Sequence, residues 1–129
     1  MGELSKFRED IVETLELAGI KAVGYNEKKR IIPPCAIVTP DEPYLRFPTT
    51  TQRMRQTNVG IAIIVIGSNR GTDQQKTHEL DDMIEKVHAV LSPYLDIATV
   101  SAPGKVKVEG KDYIGSVFLT EYQITLEGE

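Results

Sequence analysis

Tryptophan is absent from this sequence, aromatic residues are sparse, and Cys35 is the only cysteine. One cysteine excludes an intrachain disulfide and a four-thiolate metal site, and it fits folding in a reducing compartment. No run approaches the ~20 apolar residues needed to span a bilayer. The start, Met1 to Ser5, has no basic stretch followed by an apolar core, so neither export by that route nor membrane embedding is expected. Positive charge is also in short supply. Fifteen Lys and Arg against nineteen Asp and Glu leave a net −4, the wrong sign for a domain that grips nucleic acid through its phosphates.

What is present is the composition of a globular domain. A chain of 129 residues fits one domain, 1–129, and would leave a second one short of core. Leu4, Phe7, Ile11, Leu15 and Ala18 recur at helical spacing and predict an amphipathic helix over 4–18, closed by Gly19. A short strand is expected near 22–25, then an exposed turn over Asn26 to Arg30. Pro33 and Pro34 precede a strand headed by Cys35, which Pro40 and Pro43 are expected to end.

From Tyr44 to Gln56 a long cationic loop or hairpin tip carries Arg46, Arg53 and Arg55 without nearby acids. Val59 to Ile66 is β-branched at most positions and apolar on both faces, which predicts a covered central strand. Thr72 and Gln75 form a capping box opening a second helix, with Leu80, Met83, Ile84, Val87 and Leu91 on its stripe and Ser92-Pro93 at its end. Lys105 to Glu109 alternates, Gly110-Lys111 suits a two-residue turn, and a long return strand runs over 113–126. The expected fold class is α+β: a mostly antiparallel sheet, two helices packed on one face, and a long hairpin or loop extension.

Chemical signatures break down on inspection. Gly67 to Thr72 lies between a strand and a helix, but three residues separate its glycines where a phosphate loop needs four, and Lys is missing. His78-Glu79 starts like a zinc-protease helix, yet Asp82 stands where the second His is required. His78, Asp82 and Glu85 could gather a cation weakly, although an acidic solvent face accounts for them as well. Cys35 heads an apolar strand, and only His78 and His88 are available as a base, so no nucleophile or triad can be assembled. No catalytic residue, cofactor or metal is expected, and the chain reads as a non-enzyme.

Ile64, Ile66, Phe118 and Tyr122 give both faces of the sheet an apolar character, and self-association, or a folded-back loop, would cover what two helices leave bare. Together with Arg46, Arg53 and Arg55, these residues are the candidate partner interface.

The layout of the whole chain resembles the tail-terminator and related neck proteins of long-tailed bacteriophages. The resemblance lies in the first helix, the Ile32 to Val38 strand entry, the Pro40 to Leu45 turn, the Val59 to Ile66 strand, the Asp73 to Ile84 helix and the final hairpin. It implies a virion protein, assembled in the host cytoplasm, that forms a ring of six copies, caps the major tail tube protein and meets the head-side connector or head-closure protein. Genome DNA would pass through the ring without specific binding. A head-closure or other head-tail joining role is the alternative within that class. A small-molecule-sensing regulatory module with its ligand near Gly67 to Thr72 is the alternative outside it, and a metal-dependent enzyme is a third.

Overall fold

A computed structural model describes residues 3–24, 31–46, 56–68 and 71–125. Two helices, α1 (Glu3–Leu17) and α2 (Asp73–Leu91), pack on one face of a six-stranded sheet. The strands are β1 (Ala22–Val23), β2 (Cys35–Arg46), β3 (Gln56–Ile66), β4 (Asp96–Val100), β5 (Gly104–Val108) and β6 (Lys111–Thr125). Their order is β1-β2-β3-β6-β4, with β5 also on β6; only the β1–β2 pair is parallel. The α+β class and the helices on a mostly antiparallel sheet are as the periodicities predict.

Local chemistry sets both helix ends that border the sheet. Gly19, at φ +85°, lets the amides of Gly19 and Ile20 turn back onto the carbonyls of Glu16 and Leu15, closing α1 with a left-handed cap. At the start of α2, Thr72 accepts from the Gln75 amide while the Gln75 side chain accepts from the Thr72 amide. Both capping-box bonds are therefore made, satisfying two amides that the helix itself leaves unpaired.

Residue pairing divides the sheet into two faces. Val38, Ile63 and Phe118 form one row beneath the helices, and Ala36, Val65 and Ser116 form the next. Ile11 and Leu15 of α1 and Leu80, Val87 and Leu91 of α2 complete this core. Val12 of α1, outside the predicted stripe, is buried as well.

Two expectations need correction. Pro40 and Pro43 do not end β2, which continues to Arg46 and pairs with β3 beyond a register shift between Pro40 and Leu45. Among the described residues β1 covers only Ala36 and Ile37, so the rest of β2 borders the described sheet, where a residue without an amide donor is tolerated. The second correction moves the hairpin turn back by one residue. Val108 pairs with Lys111, so the turn residues are Glu109 and Gly110, both at positive φ, as a primed two-residue turn requires.

β4 and β5 are two halves of one strand running antiparallel to β6, interrupted at Ser101 to Pro103. The interruption is bonded: the Ser101 amide donates to the Val117 carbonyl, the Val117 amide donates to Ser101 Oγ, and Ser116 Oγ donates to the Ser101 carbonyl. Ser116 is thus fully buried without an orphaned hydroxyl.

Candidate interaction surface

The face of the sheet away from the helices is built by three neighbouring strands. Ile37, Ile64 and Val117 form one row across β2, β3 and β6, and Thr39, Ala62 and Leu119 form the row beside it. Ile37, Ile64 and Val117 are half-buried, and Leu119 keeps 36% of its surface exposed. Strand alternation produces this pattern: every second residue of a strand apolar on both faces must point away from the helix layer.

The structure divides the predicted interface residues. Ile64 lies on the outer face with surface to spare. Ile66 lies on the same face but is fully buried within the chain, and Phe118 lies in the core beneath the helices, also fully buried. Neither has area left to offer a partner. Tyr122 belongs to the helix side, where its ring stacks on Phe7, and it remains 38% exposed. Arg46 ends β2 opposite Asn58, with its side chain outside the described residues; Arg53 and Arg55 also lie outside them.

Ile37, Val117 and Leu119 were not in the predicted set. Parity within each strand groups Ile64 with Ile66 and Val117 with Leu119, but only the register across strands places Ile37 and Val117 beside Ile64. Register itself was not legible, since it depends on where the irregularities at Pro40 to Leu45 and Ile97 to Thr99 fall.

The sites considered for chemistry are dispersed. Cys35 is buried at the head of β2, and burial pushes its thiol from 9.0 up to about 11, only partly countered by the Lys21 charge. Such a thiol is the opposite of an activated nucleophile. His78, Asp82 and Glu85 stand exposed on α2, and among the described residues no three His, Cys, Asp or Glu side chains gather into a metal-holding group. A cleft of about 420 Å3 lies beside Gly67 and Ser68, walled by Gly19, Ile20 and Pro34 on one side and by Glu79, Met83 and Lys86 of α2 on the other. Its cations and carboxylates are mixed, so it has no single electrostatic preference.

The fold and these surfaces define a two-layer α+β protein in which, among the described residues, no helix covers the second sheet face. Comparison with protein-family models and with curated protein sequences finds no match. No helix among the described residues is long and apolar enough to cross a membrane.

Proposed function

We propose that this chain is a structural subunit of a phage neck that forms a ring, caps the tail tube and joins the tail to the head connector, with no reaction chemistry of its own. The observation that carries the reading is the row of Ile37, Ile64 and Val117, with Leu119 beside it, on the sheet face that no helix among the described residues covers. Burying such a row against a neighbouring copy stabilises by about 25 cal/mol for each Å2 of apolar surface removed from water. A heterologous contact of that kind closes into a ring when the rotation between copies allows it. The segment between β2 and β3 in sequence, which carries Arg53 and Arg55, would supply the contact to tube or connector, and the acidic balance of the chain would let DNA pass without being held.

Electron microscopy of purified tail tubes mixed with the protein tests this reading. It requires a ring-shaped density at one end of each tube and an arrest of further tube growth. Tubes that elongate normally with bare ends would reject it.

A small-ligand module is the second reading, favoured by the cleft beside Gly67, whose size falls in the range of small-molecule sites. A ligand-dependent rise in melting temperature, lost on blocking that cleft with Met83→Trp, would favour it over the ring.

A further inference from the structure

A second cleft, of about 320 Å3, opens between α1 and the C-terminal end of α2. Phe7 and Asp10 of α1, Pro93 and Tyr94 just beyond α2, and Tyr122 of β6 wall it. Three of the eight Phe and Tyr residues of the chain meet here. Tyr94 is 63% exposed, so its ring is open to a ligand, and the Phe7 stack holds the ring of Tyr122 in place.

Charge gives the cleft a sign. The stretch of α1 beside it is acidic, with Glu9, Asp10 and Glu13 close in sequence, while the carboxylates of α2, Asp73 to Glu85, lie toward the other end of that helix. Asp10 brings its carboxylate to the wall of the cleft. An aromatic-walled recess with a carboxylate at its wall suits a cation with a flat, weakly hydrated head.

We propose that this cleft docks an arginine side chain of a partner protein, with its guanidinium stacked against Tyr94 and Tyr122 and bonded to the Asp10 carboxylate. Arginine fits better than lysine because its planar fork can stack on a ring and meet a carboxylate through two N–H groups at once, which a compact ammonium cannot do. The chain sets one arginine against a tyrosine internally: the Arg8 guanidinium lies 5.6 Å from the centre of the Tyr44 ring and donates to the Tyr44 hydroxyl. The cleft lies on the helix side, away from the outer sheet face, and the proposal stands independently of the ring.

The probe is an acetylated, amidated Gly-Arg-Gly-Arg-Gly peptide, titrated into the full chain and followed by amide and tyrosine-ring NMR shifts. The control is the same peptide with citrulline for arginine, which keeps the shape and removes the charge. The expected result is a saturable response centred on Phe7, Asp10, Tyr94 and Tyr122, with the citrulline peptide at least about fivefold weaker, as loss of a cation–π contact and its ion pair implies. Asp10→Asn, at an exposed helix position, should weaken the arginine peptide and leave the citrulline peptide unchanged. Equal binding of both peptides would make the cleft a charge-indifferent apolar groove and overturn the proposal. Shifts spread along the acidic faces of both helices, or no saturable response, would overturn it too.

Discussion

Tyr122 of β6 stacks on Phe7 of α1, with ring centroids 4.7 Å apart and planes inclined by 21°. This contact joins the first helix to β6, near opposite ends of the chain. Offset aromatic stacking adds about 0.5–1.5 kcal/mol beyond the burial of the two rings. Phe7→Leu and Tyr122→Leu, made singly and together and unfolded in urea, should show a coupling energy of that size. Strictly additive losses would mean that the rings only share a surface.

Gly115 sits where β6 is paired on both sides, with Ile66 of β3 and with Gly104 of β5. A methyl group there would lie 2.7 Å from the Val65 carbonyl oxygen and 3.0 Å from a Val106 methyl. Backbone of a central strand cannot yield as a flexible side chain can, so Gly115→Ala should destabilise by about 1–3 kcal/mol, the range for overpacking. Gly110→Asn is the contrasting substitution, since the turn is open and asparagine tolerates its positive φ; it should cost well under 1 kcal/mol, roughly. Chemical denaturation of the two variants side by side checks the order.

Much of this architecture was legible in advance because it follows from short-range rules. The capping box at Thr72 and Gln75, the Gly19 cap and the stripes of both helices depend on residues within a few positions of one another. The end of β2 was misread because proline's exclusion from a ladder weighs little at a border strand, and nothing local shows that β1 stops after two residues. The candidate interface was the least legible. Apolar residues on β3 and β6 could be named, but which ones faced the helices depended on long-range register. Phe118 therefore proved to be core, while Leu119, its neighbour, points outward. Tyr94 carried no periodic signal and comes to light only through the fold that places it beside Phe7 and Tyr122.

Cys35 provides a pH-dependent readout of the same packing. Its thiol is raised by burial from 9.0 to about 11 in the folded chain, while the nearby Lys21 charge works in the opposite direction. Because the folded value exceeds the unfolded one, the stabilisation is complete below pH 9.0 and is lost as pH rises toward about 11, where the unfolded chain releases its proton first. Cys35→Ala should flatten the decline in stability over that window. A thiol-specific disulfide reagent at pH 8 should modify Cys35 only at the rate of unfolding; rapid labelling of the native protein would contradict its enclosure at the head of β2.

Ring formation through the outer sheet face is the central claim, and native mass spectrometry over a concentration series, with and without purified tail tubes, tests it most directly. The wild-type chain is compared with the Ile64→Lys/Leu119→Asp variant, changed at two outward-facing positions that leave the helix-side core intact. The account predicts a hexamer for the wild type, alone or recruited by tubes, and a variant that stays monomeric with its helical circular dichroism retained. A wild-type chain that remains monomeric at every concentration and ignores tubes, or a variant that assembles as the wild type does, would contradict it.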